Sequence, residues 1–328
     1  MQAFDLLQPA DQAEALALIA QNKDAAFIAG GTTLLDLMKC GVSAPSTLID
    51  INALTALANV GIHAELVRIG ALARNSDVAH DPEIESRFPM LSKAFLAGAS
   101  PQLRNMATLG GNLLQRTRCP YFRDPASACN KRERGAGCDA LEGFHRVHAV
   151  LGTSDSCIAT HASDAAVALV ALDAVVEILG PAGTRRVSLE KFYAEPKDTP
   201  WIENALAPGE LIVAVEIAHA PAQRHSTYLK VRDRASYEFA LTSAAAGLEF
   251  DGDRITAARL ALGGVATVPW RARAAEEALV GRTPDESVFL QAAEIALSGA
   301  VPRRDNAFKI ELAKRTIVRA LQNVERGP

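Results

Sequence analysis

The chain lacks a strong net charge, a long apolar run and a basic leader. Its 328 residues carry a formal net charge of −4, which gives no reason to expect a nucleic acid as a partner. No stretch of about 18 apolar residues is present, so no membrane insertion is expected. The first twenty residues contain Asp5, Asp11 and Glu14 but no lysine or arginine, so we expect no secretory signal on the chain itself.

Cysteine is also scarce. Five cysteines in 328 residues do not suggest a small disulfide framework, because such domains are dense in cysteine and usually contain an even number. A hydrophobic content of 49% is enough to bury a core instead. Four of the five nevertheless fall within 39 residues, at Cys119, Cys129, Cys138 and Cys157. The glycines, prolines and charges between them predict a long irregular loop, which is uncommon without a function or a staple.

Three kinds of staple suit such a loop, and the spacing leaves all three open. The intervals are Cys-x9-Cys-x8-Cys-x18-Cys, without the short Cys-x2-4-Cys knuckles that are typical of structural zinc. The spacing therefore favours an iron–sulfur cluster over zinc, two disulfides or unrelated thiols. Cys40 is expected to be a packed free thiol. His145, His148 and His161 are expected to be structural or solvent-facing.

Hydrophobic periodicity predicts a mixed chain of helices and strands in about two domains, without an internal repeat. Asp11 and Glu14 form a capping pair that predicts the start of a helix, and Ser76 or Asp77 is expected to cap a later one. Further elements of this part are expected as strands over 25–29, 47–51 and 67–72 and helices over 34–41 and 91–97.

Beyond the cysteines, Ser163 or Asp164 is expected to cap a helix that runs to about Leu172. A strand over 211–217 precedes a stretch at 221–225 that is the best candidate for a domain boundary. The remaining elements are expected as hairpins over 175–189 and 240–262 and two closing helices from about Ala272 and Glu311.

Two turns with paired glycines have the composition of anion cradles. Residues 27–34 read FIAGGTTL and residues 107–113 read ATLGGNL. Glycines let the backbone approach a phosphate, and the N–H groups of such a turn point inward. Neither turn has the Gly-x-Gly-x-x-Gly of a Rossmann fold or the Gly-Lys-Ser/Thr of a P-loop, so a plain tight turn is the alternative. Together the two turns could grip the two ends of a diphosphate.

Four segments carry a resemblance to a known family: FIAGGTTLLDLMK, SPQLRNMATLGGNLLQ, SDAAVALVALDA and KVRDRASYEFALTSAA. They closely resemble the FAD-binding medium subunits of the molybdenum hydroxylases, nearly from end to end. The cysteine segment resembles the version with an extra [4Fe-4S] cluster, as in bacterial periplasmic aldehyde oxidoreductases and the 4-hydroxybenzoyl-CoA reductases. The similarity is greatest to the flavin subunit of the aldehyde oxidoreductases.

The resemblance implies an α+β fold in two domains. Residues 1–220 would form the two-lobed FAD-binding domain of the p-cresol methylhydroxylase type, with the [4Fe-4S] loop inserted at about 115–160. Residues 221–328 would form a smaller α+β domain of the kind found at the C-terminus of carbon monoxide dehydrogenase flavoproteins.

The resemblance also implies the site residues, and it gives the chain no catalytic residue of its own. Tyr237 would either shield the isoalloxazine ring or be a buried structural tyrosine. Without the family, Lys230 has an alternative interpretation as an exposed strand lysine, Asp164 as a helix cap and Ile212 as core. The FAD contacts implied are Ala26, Phe27, Ile28, Ala29, Gly30, Gly31, Thr32, Thr33, Leu34, Thr108, Gly111, Asn112, Asp164, Ile212 and Lys230.

The cluster ligands implied are Cys119, Cys129, Cys138 and Cys157. Positive charges are frequent around them in the sequence. These charges either offset the charge of the cluster and tune its potential, or they solvate a surface loop or dock a partner. The six cations are Arg116, Arg118, Arg123, Lys131, Arg132 and Arg134.

By resemblance, the chain is the FAD and [4Fe-4S] electron-transfer subunit of a heterotrimeric molybdenum-containing aldehyde oxidoreductase. Its partners would be a large molybdenum-cofactor subunit, a small subunit with two [2Fe-2S] clusters and an external electron acceptor, and the chain alone would not oxidise aldehydes. The alternatives are the flavin subunit of a hydroxylase acting on an N-heterocycle, carbon monoxide or 4-hydroxybenzoyl-CoA, or a zinc-loop interaction protein. Periplasmic location by co-export with a signal-bearing partner is favoured over the cytoplasm.

Overall fold

The computed structural model describes residues 1–326, which form three sheets and thirteen α-helices. The strands are β1 (Asp5–Leu7), β2 (Ala25–Ile28), β3 (Thr47–Asp50), β4 (Val60–Ile62), β5 (Leu66–Gly70), β6 (Val175–Gly180), β7 (Gly183–Ser188), β8 (Leu211–Ala218), β9 (Ser226–Val231), β10 (Thr242–Asp251), β11 (Arg254–Gly263) and β12 (Trp270–Arg271). The helices are α1 (Gln12–Gln21), α2 (Leu34–Lys39), α3 (Asn75–Ala79), α4 (Pro82–Arg87), α5 (Pro89–Ala97), α6 (Pro101–Arg104), α7 (Leu109–Leu113), α8 (Pro120–Arg123), α9 (Asp164–Ala171), α10 (Leu189–Phe192), α11 (Arg273–Leu279), α12 (Glu286–Ala296) and α13 (Phe308–Glu325), and a 3₁₀ turn spans Thr55–Ala58.

The first sheet is small and parallel, in the order β1-β3-β2. Helix α1 begins where the capping pair predicts, because the Asp11 carboxylate accepts from the Glu14 N–H at 2.8 Å. Glu14 reaches back to the Ala10 N–H at 2.7 Å. The core of this lobe joins β3 to β8 of the next sheet through buried Ile49 and Val213. The first glycine turn therefore follows β2 at the edge of a sheet that is packed against the second sheet.

The second sheet is antiparallel, in the order β4-β5-β8-β6-β7. It packs against α5 and α9, and α9 is buried along seven of its eight residues, Ala165–Ala171. Each fully buried valine or leucine side chain contributes about 1.5–3 kcal/mol. Ser163 caps this helix by accepting from the Ala166 N–H at 3.0 Å, so Asp164 is left for another role.

The third sheet is antiparallel, in the order β12-β11-β10-β9, and its two faces pack against different layers. Side chains of a strand alternate between faces. On β10, Ala244 and Ala246 therefore face the cluster formed with α11, α12 and α13, whereas Ala245 joins the core that contains α5 and α9. The C-terminal sheet is thus fixed against the first domain across its inner face.

Residues 115–160 contain one short helix, α8, and are otherwise irregular. Their small core surrounds Phe122 and Ile158 and includes three of the clustered cysteines. The prediction of a long irregular loop is confirmed. Within residues 1–326, no helix has both the length and the apolar character needed to cross a bilayer.

Three local predictions are wrong. Ser76 and Asp77 do not cap α3, because the helix already begins at Asn75 with Arg74 at the N-cap. The closing part has three helices, since α12 follows an Asp285 cap that accepts from the Val288 N–H at 2.8 Å. Helix α13 begins at Phe308, one turn before the expected Glu311.

Candidate functional site

The two glycine turns lie against each other. A β-carbon on Gly30 would lie 1.9 Å from the carbonyl oxygen of Met106, so only glycine lets the first turn approach the irregular segment that enters the second. Gly31 has a φ of +71°, in the left-handed region that favours glycine. The Thr108 hydroxyl caps the second turn by accepting from the Gly111 N–H at 3.3 Å.

Two cavities meet at these turns. The apolar cavity, of about 260 Å³, lies beside the first turn, and Leu72, Leu211 and Ile212 line it. The charged cavity, of about 640 Å³, extends from the turns towards Asp164 and Lys230. Both cavities are lined by three residues of the turns, Thr32, Thr33 and Gly111. A long ligand that threads the turns could occupy both.

All fifteen residues expected to contact FAD line one of these two cavities. The apolar cavity is lined by Ala26, Phe27, Ile28, Ala29, Gly30, Gly31, Thr32, Thr33, Leu34, Thr108, Gly111 and Ile212. The charged cavity is lined by Thr32, Thr33, Gly111, Asn112, Asp164 and Lys230. The structure therefore brings together segments that lie up to about 200 positions apart in the sequence.

Lys230 and Asp164 form a buried ion pair at the far end of the charged cavity. Their charged atoms are 2.8 Å apart, and the two side chains are 4% and 10% exposed. The Tyr228 hydroxyl donates to the other Asp164 oxygen at 2.6 Å. Burial, together with the Asp164 charge, raises the pKa of Tyr228 well above its ordinary value, so the phenol remains a donor. The alternative interpretations of Lys230 as an exposed lysine and of Asp164 as a helix cap are wrong.

Three buried polar atoms of the charged cavity have no hydrogen-bond partner among residues 1–326. They are Asn75 Oδ1, Arg104 Nε and Arg118 Nε, and all three residues line the cavity wall. Buried polar groups are nearly always paired, so these atoms suit a polar ligand. The sequence analysis missed Asn75 and Arg104. Arg104 lies within the conspicuous SPQLRNMATLGGN segment, which could have indicated it.

Tyr237 lines the charged cavity but is not buried. Its side chain is 55% exposed, and its φ of +54° places it in a strained loop between β9 and β10. The Arg234 guanidinium lies 5.6 Å from the ring centroid. The interpretation of Tyr237 as a buried structural tyrosine is therefore wrong.

The four clustered thiols line one small cavity, which we call the thiol cavity. Cys119, Cys129 and Cys157 are at most 8% exposed, and Cys138 is partly exposed. All five cysteines are unpaired, Cys40 included. Within residues 1–326, no three His, Cys, Asp or Glu side chains converge in the manner of a single-ion site. The four thiols thus share one cavity but do not form such a site.

Burial and neighbouring thiols oppose ionisation of Cys119 and Cys157 in the absence of a cation. Burial raises the pKa of Cys119 to about 12, and its thiol neighbours Cys129 and Cys157 add to the rise. Burial likewise raises the pKa of Cys157 to about 11, against an opposing effect of the Lys131 ammonium. Thiolates at this position therefore require bound positive charge, which a metal group would supply.

Two of the three histidines beside the last thiol are buried, and His161 is half-buried. His145 and His148 are 3% and 1% exposed, and burial lowers the pKa of His161 to about 3. His148 Nε2 lies 3.1 Å from Cys119 Sγ. Burial therefore contradicts the solvent-facing alternative for His145 and His148, and a purely structural role stays a prediction.

Five of the six cations of the loop anchor it to the rest of the protein, and Arg132 braces the loop internally. Arg118 and Arg123 both pair with Asp36 of α2, at 2.9 and 2.7 Å. Arg132 donates to the carbonyls of Tyr121 and Phe122 at 2.9 and 2.8 Å. These cations are therefore paired and do not form a freely solvated surface.

Glu203 is the second anchor of the loop. Arg116 and Lys131 pair with its carboxylate at 2.9 and 3.3 Å, and the Arg134 guanidinium lies over the nearby Trp201 ring at 4.8 Å. Burial alone would raise the pKa of Glu203, but Lys131 and Arg116 outweigh it and lower the pKa.

Two family models match the chain. The FAD binding domain in molybdopterin dehydrogenase matches residues 2–220, and the CO dehydrogenase flavoprotein C-terminal domain matches residues 227–324. Together they agree with the two-part α+β fold described above, so the expected fold class is confirmed.

Similar proteins match the chain along nearly their whole length. The chain is 50% identical to the aldehyde oxidoreductase FAD-binding subunit PaoB of Escherichia coli (strain K12) over 322 residues, 98% of each chain. It is 26% identical to the glyceraldehyde dehydrogenase medium chain of Sulfolobus acidocaldarius, again over 98% of each chain. Among solved structures, quinoline 2-oxidoreductase from Pseudomonas putida 86 aligns with a TM-score of 0.78 and 28% identity, covering 99% of this chain and 98% of that one.

Proposed function

The chain belongs to the family of FAD-binding subunits of molybdopterin dehydrogenases, and we propose that it is the FAD and [4Fe-4S] electron-transfer subunit of a heterotrimeric molybdenum-containing aldehyde oxidoreductase. The choice of an aldehyde as the substrate class rests on the 50% identity to an aldehyde oxidoreductase FAD subunit over 98% of both chains. The relative named for glyceraldehyde is 26% identical.

FAD would lie across both cavities, with its diphosphate at the glycine turns they share. Backbone N–H groups of the first turn and the Thr32, Thr33 and Gly111 region would hold the two phosphates. The adenosine half suits the apolar cavity beside Ile212. The isoalloxazine, whose edge carries donors and acceptors, suits the charged cavity. Bound FAD supplies the redox chemistry, the uptake of electrons from an iron–sulfur subunit and their release to an external acceptor.

The chain's own residues position that ring and control access to it. The Asp164 and Lys230 pair offers one acceptor and one donor at fixed separation, since both side chains are nearly buried. Asn75 Oδ1, Arg104 Nε and Arg118 Nε are further groups free to pair with the ligand. Tyr237, exposed at the mouth, would cover the ring on the solvent side.

A [4Fe-4S] cluster would lie in the thiol cavity on Cys119, Cys129, Cys138 and Cys157. Ligands of one tetrahedral zinc lie about 2.3 Å from the ion and so converge, whereas a cube of iron and sulfide needs thiols arranged around a larger volume. The assignment is supported by the common cavity of the four thiols. Bound there, the cluster would supply one-electron redox capacity near the flavin site.

The electrons and the substrate chemistry would come from two partners. A large subunit would hold the molybdenum cofactor that oxidises the aldehyde, and a small subunit would hold two [2Fe-2S] clusters. We expect the purified chain alone to be yellow and inactive, and the three chains together to oxidise aldehydes with a dye acceptor. Aldehyde turnover by the chain alone would contradict this division of roles.

The same preparation distinguishes the alternatives. Flavin absorption together with iron and acid-labile sulfide supports the proposal, whereas zinc without flavin would favour an interaction module. Turnover of an N-heterocycle, carbon monoxide or 4-hydroxybenzoyl-CoA without turnover of aldehydes would assign the complex to another molybdenum hydroxylase.

We further propose that the complex reaches the periplasm on a partner's signal, after cofactors are inserted in the cytoplasm. This choice rests on the resemblance of the cysteine segment to that of the bacterial periplasmic aldehyde oxidoreductases. Fractionation of cells that produce all three chains should place this chain in the periplasm. Deleting the partner's signal should retain it in the cytoplasm.

A further inference from the structure

His148 is fixed against the first clustered thiol. His148 is only 1% exposed, and its Nε2 lies 3.1 Å from Cys119 Sγ. The ring also contacts Tyr121, with centroids 6.2 Å apart. Its other nitrogen, Nδ1, is buried and has no partner within the described residues.

These contacts determine which ring nitrogen of His148 carries the proton. A neutral imidazole carries one N–H, and a buried N–H without an acceptor costs about 1–3 kcal/mol. A proton on Nδ1 would have no acceptor, and it would turn the Nε2 lone pair towards a negative thiolate. We therefore assign the proton to Nε2, where it points at Cys119.

The C-terminal helix holds His148 in this position. Lys309 of α13 is fully buried and donates to the His148 carbonyl at 2.9 Å and to the Val147 carbonyl at 3.2 Å. Asn306 donates to the Ala149 carbonyl at 3.1 Å. Three successive carbonyls are thus held by side chains from the other domain, so the ring cannot easily turn away from the sulfur.

We propose that His148 donates an N–H···S hydrogen bond to the Cys119 thiolate and raises the reduction potential of the cluster bound there. The inference rests on the cluster assignment in the proposed function. Such a bond draws negative charge away from the sulfur, which favours the reduced and more negative state of the cluster. His148 is a positioning and tuning residue and takes no part in ligation.

The test compares three variants within the complete heterotrimer, by redox titration monitored by EPR. His148→Phe keeps a ring but removes the donor, so the midpoint potential of the cluster should fall. His148→Gln restores an N–H at similar reach and should recover part of the loss. His145→Phe, on the same loop but without a contact to sulfur, is the matched control and should leave the potential unchanged.

Iron, sulfide and flavin contents separate the possible failures. Wild-type complex without iron and sulfide would refute the cluster assignment itself. A His148→Phe complex with full iron and sulfide and an unchanged cluster potential would refute the role of His148 alone. The FAD potential should be the same in all variants.

A second measurement covers the case in which His148→Phe loses its cluster. In wild-type complex labelled with ¹⁵N-histidine, pulsed EPR of the reduced cluster should detect a weakly coupled histidine nitrogen and an exchangeable proton. The coupling should persist in His145→Phe. A reduced wild-type cluster without any histidine coupling would overturn the proposal.

Discussion

Asp36 and Arg118 join the two candidate cofactor sites through one ion pair. The Asp36 carboxylate lies 2.9 Å from Arg118. Asp36 belongs to the helix that follows the first glycine turn, and Arg118 immediately precedes the first clustered thiol. Any shift of the thiol loop therefore acts directly on the turn that would hold the diphosphate.

Replacing Asp36 should loosen both sites together. Asp36→Asn removes the charge shared by Arg118 and Arg123, and we expect a loss of about 1–2 kcal/mol because the carboxylate is partly exposed. Thermal unfolding and flavin content of the purified complex measure the effect. Asp198→Asn, at an exposed site, should change neither, and an unaltered Asp36→Asn protein would contradict the proposed link.

A side chain at Gly30 should expel FAD. In Gly30→Ala the new methyl group would lie 1.9 Å from the Met106 carbonyl oxygen, so the two turns must separate at a cost of about 1–3 kcal/mol. We expect the retention of flavin to weaken by a factor of about 5 to 140, since about 1.4 kcal/mol corresponds to a tenfold change. Gly299→Ala is the control, because nothing lies within 4 Å of its added methyl. A full flavin complement in Gly30→Ala would place the diphosphate elsewhere.

Removing one partner of the Asp164 and Lys230 pair should lower the free energy of unfolding more than removing both. Lys230→Met leaves a nearly buried carboxylate without its cation, and such a loss is about 3–5 kcal/mol. Adding Asp164→Asn should recover part of this loss, since the uncompensated charge disappears. Denaturant unfolding of the two single variants and the double variant gives the coupling energy. Strictly additive losses would show that the pair does not interact as described.

Removing one clustered thiol should remove iron but not flavin. Cys138→Ser should abolish iron and acid-labile sulfide in the purified complex, while the flavin spectrum persists because no clustered thiol lines either FAD cavity and the Asp36 ion pairs still hold the loop in place. Cys40→Ser, which changes the thiol outside the group, should retain both. Unchanged iron and sulfide in Cys138→Ser would refute the ligand assignment.

Glu203 should make the loop sensitive to acid. Its pKa is lowered in the folded protein from an ordinary value of 4.5, so its contribution to stability is full above about pH 4.5 and is lost as the pH falls through the folded value. In Glu203→Gln the free energy of unfolding should therefore be lower near neutral pH and should fall less steeply below about pH 4.5. Denaturant midpoints between neutral and acidic pH test this, and parallel curves for both proteins would contradict it.

Local signals predicted most of the strands and turns. The capping pair at Asp11 and Glu14 acts over three residues, and the paired glycines permit close backbone approach wherever they occur, so neither depends on the rest of the fold. The first helix, both turns and the irregular thiol loop follow from such signals. Helix α12 was missed although its Asp285 cap is equally local.

Contacts between distant segments could not be predicted from the sequence. Asn75 and Arg104 are ordinary polar residues until the fold buries them beside a cavity. His148 lies 29 positions from Cys119, and only the path of the irregular loop brings the ring to the sulfur. The domain boundary near residue 220, the individual FAD and cluster contacts and the cellular location stay predictions.

The position of Lys309 determines when the backbone around His148 becomes supported during folding. Its ammonium, supplied by the last helix, secures the backbone on which His148 stands. During synthesis that support is missing until residue 309 has left the ribosome, long after the four thiols have emerged. Iron and sulfide delivered before this helix docks would meet an unbraced loop, so we expect the proposed cluster to be inserted only after α13 has packed against the His148 backbone.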